Sequence, residues 1–253
     1  GVSVVIPAYN ESEAVEEVVR RVVGILQQEG RPFEVIVVDD ASTDGTGDLA
    51  RRGGARVLTH TRNKGYGGSL KDGVIAANYP LVMFYDADGQ FDPGDIPTLI
   101  EPVLSGQADF ATASRFIDAS LVPDMPWIKR WGNRVVSRLI SRLAGQTFYD
   151  VSCGMRCYSR RAALQLHLLA RFTYTQEVVF NLAFKQLRIV EVPIRVRGER
   201  EFGESRVAGN LWRYGIRIAQ IIFRSYRDYH PLRFFGGIAL ALMLPAVGLG
   251  GFL

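Results

Sequence analysis

The sequence predicts an α/β fold with a mostly parallel sheet flanked by helices. Short apolar, β-branched runs alternate with stretches of helical periodicity, and several of the runs end in acidic or polar residues. At 253 residues and 47% hydrophobic content, the chain is long enough for one catalytic domain and an appendage. Ligands of such sheets bind in the crevice beyond the carboxyl ends of the strands, so we expect the functional site there.

The alternation of elements is clearest in the first half of the chain. Strand runs are predicted at 2–6, 33–38, 56–59 and 81–85, with helices after the first three. Later segments predict a strand at 110–113, a basic helix at about 127–143, a loop at 150–158, a helix at 178–185 and a strand at 189–196. No internal repeat interrupts this order, so a single catalytic domain is expected.

The C-terminal region has a different pattern. On a helix at 211–229, arginines share one narrow sector and apolar residues lie opposite, a pattern typical of an in-plane membrane helix or of a helix packed on the domain. The stretch 234–253 has no charged residue and predicts a membrane-spanning segment, with a buried core helix as the alternative. We therefore predict a catalytic domain at 1–206, an amphipathic interfacial helix at 207–230 and a transmembrane segment at 231–253. The preceding arginines place the catalytic domain on the cytoplasmic face.

Composition restricts the possible classes of binding partner only modestly. The formal net charge of +4 is explained by anionic lipid and phosphate substrates as well as by nucleic acid, and the membrane-directed C-terminal pattern favours the former, so no nucleic-acid partner is expected. Cys153 and Cys157 have neither a second CxxC pair nor neighbouring histidines, which argues against a zinc site. We expect both to be reduced thiols.

The segment FYDADGQ, residues 84–90, carries the main chemical signal. An apolar strand ends in the carboxylates of Asp86 and Asp88, followed by the amide of Gln90. Hard divalent cations bind such oxygen ligands together with substrate phosphates, as a nucleotide diphosphate would supply. A DADG turn is also common without chemistry, so its neighbours matter. PAYNE at 7–11 and VVDD at 37–40 bring aromatic and acidic groups to the same crevice, whereas Asp44 is expected to cap the following turn.

The motifs as a set resemble family-two glycosyltransferases of the GT-A fold, a Rossmann-like sheet, and in particular the dolichyl- or polyprenyl-phosphate hexose synthases. The resemblance covers about residues 2–210. The motifs that carry it are PAYNE, VVDDASTDGT, NKGYGGSLKDG, YDADGQFDP, ASR, VSCGMRCYSRRAA, VEVPI and RGEREFGESR. This sequence departs from the family pattern at Cys153-Gly154, where Ser or Thr usually precedes Gly, at Met155 in place of an aromatic, and at Arg206 in place of lysine.

The resemblance implies a donor site, a divalent cation and an acceptor site. The implied donor residues are Pro7, Tyr9, Glu11, Val37, Asp39, Asp86, Ala87, Asp88, Gln90, Arg200 and Arg206. Asp88 and Gln90 would hold Mg²⁺ or Mn²⁺. We assign the acceptor phosphate to Arg115, Arg130 and Arg134, with a solvated basic face as the alternative for the last two. The residues expected to act in catalysis are Asp86, Asp88 and Arg115.

The implied reaction is inverting transfer of a hexose from a nucleotide sugar, GDP-mannose or alternatively UDP-glucose, to dolichyl or polyprenyl phosphate. An ionised phosphate can attack the anomeric carbon without a protein base. One alternative is transfer to a glycan or protein hydroxyl with Glu177 as base; otherwise Glu177 is an exposed helix residue. Another is a non-catalytic nucleotide- or lipid-binding domain. A Rossmann dehydrogenase is disfavoured because the first strand ends in PAYNE and lacks GxGxxG.

Overall fold

A computed structural model describes residues 1–166, 175–197 and 211–250 of the chain. The strands are β1 Val2–Ala8, β2 Phe33–Asp39, β3 Arg56–Thr59, β4 Leu81–Phe84, β5 Phe110–Ser114, β6 Arg156–Ser159 and β7 Ile189–Pro193. The α-helices are α1 Val15–Gln28, α2 Thr46–Arg52, α3 Tyr66–Ala76, α4 Ile96–Leu104, α5 Trp127–Ala144, α6 Arg160–Leu164, α7 Thr175–Phe184, α8 Leu211–Tyr229 and α9 Pro231–Gly250. Short 3₁₀ turns lie at Pro93–Asp95 and Ala119–Leu121.

The strands form one sheet in the order β3-β2-β1-β4-β6-β5-β7. The pairings of β1 with β2 and β4, of β2 with β3, and of β5 with β7 are parallel, and β6 runs antiparallel to both of its neighbours. The predicted mostly parallel sheet is therefore confirmed. Because β6 runs the other way, Arg156 at its start pairs with Phe84 at the end of β4. The loop before β6 consequently reaches the edge where the parallel strands end.

Helices cover both faces of the sheet. Alternate residues of β1 belong to two separate hydrophobic clusters, Val4 to one and Val5 to the other. The first cluster includes the apolar side of α1, and the second includes the apolar sides of α3 and α7. Strands buried on both faces read as continuous apolar runs, which is why the sequence pattern located β1, β2 and β4.

The sequence did not predict strand β6. The segment 150–158 was expected to be a loop, but its last three residues belong to this strand. The strand is four residues long and begins with a fully buried arginine. The guanidinium of Arg156 donates to the carbonyl oxygens of Cys153, Val151 and Thr175, and lies 5.6 Å from the centre of the Phe110 ring. Burial of this cation is compensated by carbonyl dipoles, two from the loop just before the strand and one from Thr175, 19 positions away.

The C-terminal helices begin close to where the sequence placed them. The last turn of α8 packs on α7, because Asn181 donates to the Tyr229 hydroxyl at 2.6 Å and the Phe184 ring stacks on that of Tyr229 at 4.8 Å. Of the two interpretations of this helix, packing on the domain thus holds for its C-terminal end. The arginines that share one sector of this helix are Arg213, Arg217, Arg224 and Arg227. The side chains of the last two are described, and both lie beside Asp228.

Helix α9 carries large apolar side chains that lie exposed. Leu232 is 89% exposed, and Leu242 and Leu244 are each 70% exposed. Within the described ranges, no helix combines the length and apolar character that crossing a membrane requires. The transmembrane segment and the domain division stay predictions.

Candidate active site

The ends of β1 to β4 lie along one edge of the sheet, as expected. The register pairs Ala8 with Asp39, the amide of Asp40 donates to the Ala8 carbonyl at 2.8 Å, and the amide of His60 donates to the Asp39 carbonyl at 2.9 Å. Tyr85, just after β4, continues the sheet by donating to the Val5 carbonyl. The PAYNE, VVDD and DADG segments are therefore neighbours in space.

The loops after β1 and β2 hold each other through side-chain contacts. Asn10, whose φ is 52°, receives a hydrogen bond from the Thr43 amide at 3.0 Å, and the Glu11 amide donates to the Thr46 hydroxyl at 2.9 Å. Asp44 accepts from the amides of Ser12 and Thr46. Burial acts against ionisation, but these hydrogen bonds outweigh it and hold the pKa of Asp44 below its usual value. Asp44 is thus the turn residue that the sequence predicted.

Asp39 lies at the end of β2, where the resemblance places the nucleoside. One carboxylate oxygen accepts from the Ser42 amide at 3.0 Å, and a methyl group on Gly47 would crowd the other at 2.7 Å, so α2 approaches closely only because residue 47 is glycine. Tyr9 is 38% exposed at the same end. Val37 is 0% exposed and Pro7 is buried, so contacts of these two with a ligand would have to come from main-chain atoms.

Asp86 is constrained at both carboxylate oxygens. The Tyr66 hydroxyl donates to Oδ1, and the backbone of Gly154 lies so close to Oδ2 that a Cβ at residue 154 would overlap it. The glycine of the Cys153-Gly154 pair therefore serves this close approach. This explains why glycine is kept where the residue before it departs from the family pattern.

Asp88 and Gln90 lie on the tight turn after Asp86. Asp88 is buried, its Oδ1 accepts from the Gln90 amide at 3.1 Å, and Gly89 between them has a φ of 71°. The Gln90 carbonyl accepts from the amide of Arg197 at 3.1 Å. Ala87 is buried within the turn. Arg197 is the last described residue before Arg200 and Arg206, both of which lie outside the described residues.

The fit of a divalent cation depends on the substrate. Among the described residues no group of three or more His, Cys, Asp or Glu side chains could hold a metal. A carboxylate from Asp88 and an amide oxygen from Gln90 instead match a hard cation that completes its shell with diphosphate oxygens and water. The donor set thus fits Mg²⁺ or Mn²⁺ bound together with a nucleotide.

Arg115 is held by a buried carboxylate. Its Nε donates to Asp150 at 2.6 Å, and its Nη2 donates to Asp150 at 3.0 Å and to Ser152 at 2.7 Å. Burial would raise the pKa of Asp150, but the charge and hydrogen bonds of Arg115 outweigh burial and lower it. The amides of Tyr149 and Asp150 donate to Glu191, whose pKa is nevertheless raised by burial. The direction of the Arg115 guanidinium is therefore fixed.

The basic helix α5 connects to this ion pair through Asn133. The Ser152 hydroxyl donates to the Asn133 side chain at 3.0 Å, and Asn133 donates to the Tyr149 carbonyl at 3.0 Å. Arg130 and Arg134 lie on the exposed side of α5. There they share the surface with two exposed tryptophans, Trp127 at 74% and Trp131 at 58%.

The same geometry bears on two further predictions and shows two residues that the sequence did not identify. Glu177, expected to be exposed if it is not a base, is half-buried in the first turn of α7. Cys153 and Cys157 are free and buried, and burial raises the pKa of each thiol to about 12; their reduced state stays a prediction. Sequence reasoning gave no role to Tyr66, although it lies within the NKGYGGSLKDG motif, or to Asp150, whose pairing with Arg115 spans 35 positions.

The fold and the arrangement of the strand ends define a class of protein: an α/β protein of the GT-A type. The particular family follows from its model, which matches residues 3–166, and the chain belongs to glycosyl transferase family 2. An uncharacterised glycosyltransferase of Mycobacterium tuberculosis is 35% identical over 83% of this chain and 91% of its own length. Undecaprenyl-phosphate 4-deoxy-4-formamido-L-arabinose transferase of Edwardsiella ictaluri is 32% identical over 81% of this chain, which spans 62% of that relative.

Solved structures share the fold. Glucosyl-3-phosphoglycerate synthase from Mycobacterium tuberculosis, in complex with Mn²⁺, UDP and phosphoglyceric acid, aligns with a TM-score of 0.67 over 90% of this chain and 78% of that one, at 22% identity. The same enzyme with Mn²⁺, UDP-glucose and phosphoglyceric acid aligns with a TM-score of 0.64 at 22% identity, over 90% and 79% of the two chains. At this level of identity the likeness establishes the GT-A fold alone.

Proposed function

We propose that this glycosyltransferase moves a hexose from a nucleoside-diphosphate sugar to a polyprenyl phosphate at a membrane surface. The observation that carries the proposal is the exposed side of α5, where Trp127 and Trp131 lie beside Arg130 and Arg134. Tryptophan and arginine together are typical of a helix at the boundary between lipid headgroups and acyl chains. The helix is linked through Asn133 and Ser152 to Arg115 at the end of β5.

Two further observations support a lipid acceptor. Exposed apolar side chains on α9, including Phe235 and Met243, form a surface that water solvates poorly. In addition, the relative from Edwardsiella ictaluri is named for a transfer to undecaprenyl phosphate. We place the catalytic domain on the cytoplasmic face of the membrane, because arginines precede the apolar C-terminal stretch.

For the donor, GDP-mannose and UDP-glucose are the two candidates. The motif resemblance favours GDP-mannose, whereas the structural neighbours were solved with UDP or UDP-glucose. Asp39 and Tyr9 at the ends of adjacent strands suit either base, since a carboxylate accepts a ring N–H and a phenol ring stacks on a base. We propose the mannosyl donor and test both.

The chemistry follows from the charge of the acceptor. A phosphate monoester is already ionised at neutral pH, so its oxygen attacks the anomeric carbon without losing a proton to Glu177. The protein must instead hold two anions together and exclude water. When bound, Mg²⁺ or Mn²⁺ neutralises charge on the leaving diphosphate, and Asp88 and Gln90 would hold it. We assign Arg200 and Arg206 to the same diphosphate.

On the acceptor side, Arg115 would orient the phosphate while Arg130 and Arg134 attract it. The Asp150 carboxylate balances the charge of Arg115, so this pair supplies direction more than attraction. The exposed arginines of α5 supply net positive charge facing an anionic headgroup. This division of roles explains why Arg115 is paired with a carboxylate whereas Arg130 and Arg134 are exposed.

The reaction is tested by phase partition. The full chain is incubated with Mn²⁺, sugar-labelled GDP-mannose or UDP-glucose, and a short polyprenyl phosphate in detergent, and lipid is then extracted into organic solvent. We expect label in the organic phase with the polyprenyl phosphate and none with the matched polyprenol, because the phosphate is the nucleophile. The control variant is Asp88→Ala, which should transfer no label.

Two outcomes would contradict the proposal. Label that stays aqueous with every donor, while a sugar hydroxyl acceptor becomes labelled in a Glu177-dependent manner, would indicate the hydroxyl-directed transferase. Nucleotide-sugar binding without transfer to lipid or to sugar acceptors would indicate a non-catalytic domain.

A further inference from the structure

We propose that Tyr66 is a positioning residue for Asp86, and that Asp40 fixes Tyr66 by anchoring the turn before α3. The resemblance assigns Asp86 to the donor but gives no role to Tyr66, Asp40 or His60. The inference deepens the proposed function and rests only on its donor half. The nature of the acceptor does not enter it.

Tyr66 reaches Asp86 from a different part of the chain. It is the first residue of α3, its side chain is half-buried, and its hydroxyl donates to Asp86 Oδ1. On the other side the backbone of Gly154 lies against Oδ2. A carboxylate normally rotates about its last side-chain bond, and contacts at both oxygens remove that freedom. The remaining lone pairs of Asp86 are thereby aimed in fixed directions.

Asp40 fixes the point at which α3 begins. Its Oδ1 accepts from the Lys64 amide and its Oδ2 from the Gly65 amide, each at 2.8 Å. These amides directly precede α3, where Gly65 itself provides no side-chain cap and adopts a φ of 80°. The Asp40 carboxylate, from just after β2, therefore accepts the hydrogen bonds of backbone N–H groups at the start of α3, as the side chain of an N-cap residue does in other helices. The direction in which Tyr66 leaves the backbone is set by this anchor.

Asp40 is in turn held by a buried histidine. His60 Nδ1 lies 2.7 Å from Asp40 Oδ1, and Nε2 lies 3.0 Å from Asp72 Oδ2. Lys64 Nζ contacts the same Asp72 oxygen at 2.5 Å. Since Asp72 belongs to α3, the cluster ties the end of β2, the end of β3 and α3 together. Asp40 therefore transmits the position of the sheet to Tyr66.

A small displacement of Asp86 matters because it lies beside the reacting part of the donor in this proposal. A misplacement of about 1 Å at a positioned group costs on the order of 10²-fold in rate. Removing one hydroxyl while leaving the ring in place should cost less than this. We therefore expect Tyr66→Phe to weaken donor binding by about tenfold, which is typical of one hydrogen bond to a charged group.

The test is a double-mutant cycle on donor binding in the absence of acceptor. Calorimetry measures the binding of Mn·UDP-glucose and Mn·GDP-mannose to the unaltered chain, Tyr66→Phe, Asp86→Ala and the double variant. If Tyr66 acts through Asp86, Tyr66→Phe weakens binding about tenfold in the unaltered chain and by less than about twofold in Asp86→Ala, which has no side-chain oxygen to accept from the Tyr66 hydroxyl. Tyr79→Phe, before β4 at the opposite edge of the sheet, is the matched control and should bind normally.

Steady-state kinetics gives a second test, which distinguishes a loss of positioning at the donor site from a general loss of folded structure. In Tyr66→Phe the donor KM should rise about tenfold while the acceptor KM stays within about twofold. Asp40→Asn should show the same selective rise, because an amide cannot accept both amide N–H groups and the His60 contact. Melting temperatures of both variants establish that they are folded.

Equal losses from Tyr66→Phe in the two backgrounds, or no loss at all, would overturn the inference. If the coupling is found but the sugar goes to a hydroxyl acceptor, the proposed lipid acceptor fails and the role of Tyr66 stands. If the unaltered chain binds neither nucleotide sugar, both proposals fail.

Discussion

The two halves of the candidate site, which we propose bind the donor and the acceptor, hold their polar side chains by different means. In the donor half, β1 to β4, carboxylates such as Asp40 and Asp44 accept backbone N–H groups from adjacent turns. In the acceptor half, β5 to β7 with α5, a buried ion pair between Arg115 and Asp150 joins segments 35 positions apart. Backbone N–H groups are part of the turn they belong to, whereas an ion pair exists only once distant segments have met.

Because of this difference, we expect substitutions in one half to alter ligand binding and substitutions in the other to alter the stability of the fold. In the donor half, changing a crevice side chain leaves the turns closed by their other contacts and should alter ligand binding. In the acceptor half, removing one member of the pair leaves a buried charge behind and should alter folding. The following predictions would break or sharpen this contrast, beginning with the largest effect.

Asp88→Ala should reduce sugar transfer by on the order of 10³-fold or more, because loss of the metal ligand removes several kcal/mol of charge stabilisation at the leaving diphosphate. The variant should stay folded, because the same turn is also held by the Arg197 amide, which donates to the Gln90 carbonyl at 3.1 Å. Transfer assays with Mn²⁺ titration, paired with circular dichroism, measure both. Near-normal transfer at any Mn²⁺ concentration would exclude Asp88 from the metal site.

Asp150→Ala should lower the free energy of unfolding by about 3–5 kcal/mol, because Arg115 is left without its buried partner. Since the folded pKa of Asp150 is lowered, the stabilisation is full above the unfolded pKa of about 3.9 and is lost as the pH falls through the folded pKa. The gap between variant and parent in urea unfolding should therefore be constant near neutral pH and shrink below about pH 4.

Asp124→Ala, in the exposed loop before α5, is the control and should unfold like the parent. A difference between parent and Asp150→Ala that widens in acid would contradict the pKa direction. Normal stability of Asp150→Ala at pH 7 would remove the contrast between the two halves.

Gly154→Ala should raise the donor KM by about 10- to 100-fold, because the added methyl group overlaps the Asp86 carboxylate and displaces it. Steady-state kinetics against donor concentration measures the change. Gly24→Ala in α1 is the matched control, since no atom lies within 4 Å of its added methyl group, and it should stabilise the helix by about 0.5–1 kcal/mol with unaltered kinetics. Unchanged donor kinetics in Gly154→Ala would mean that Asp86 tolerates displacement.

Trp127→Ala and Trp131→Ala should each weaken binding to anionic phospholipid vesicles by roughly tenfold, since each removes one large apolar side chain from a membrane surface. Nucleotide-sugar binding should stay the same, because both tryptophans belong to the acceptor half. Vesicle sedimentation and calorimetry measure the two quantities. Equal vesicle binding by parent and double variant would remove α5 from the proposed membrane surface.

The sequence predicted the donor half well because its signals are local. Strands β1 to β4 are apolar runs, and parallel strands of one sheet place their carboxyl ends at one edge, so Asp39 and Asp86 had to lie close together. The same logic could not show which side chains face the crevice at the end of a strand. Val37, assigned to the donor site, has its side chain in the core.

The acceptor half was less predictable because its order comes from tertiary contacts. Strand β6 begins with an arginine whose buried guanidinium donates to carbonyl groups of the preceding loop and also to that of Thr175, 19 positions away. The partner of Arg115 is Asp150, and nothing in the spacing of the two residues marks them as a pair. Tyr66 was hidden for a similar reason, since its contact with Asp86 requires α3 and β4 to be adjacent.

The buried thiols make the chain convenient for site-specific labelling. Cys153 and Cys157 are inaccessible, and with pKa values of about 12 they remain protonated in neutral buffer. A single cysteine introduced at an exposed position of α5, such as Lys129, would therefore be the thiol that a maleimide dye or spin label modifies in the folded protein. Fluorescence or electron paramagnetic resonance from that position would report whether α5 enters a lipid bilayer, with no native cysteine having to be replaced.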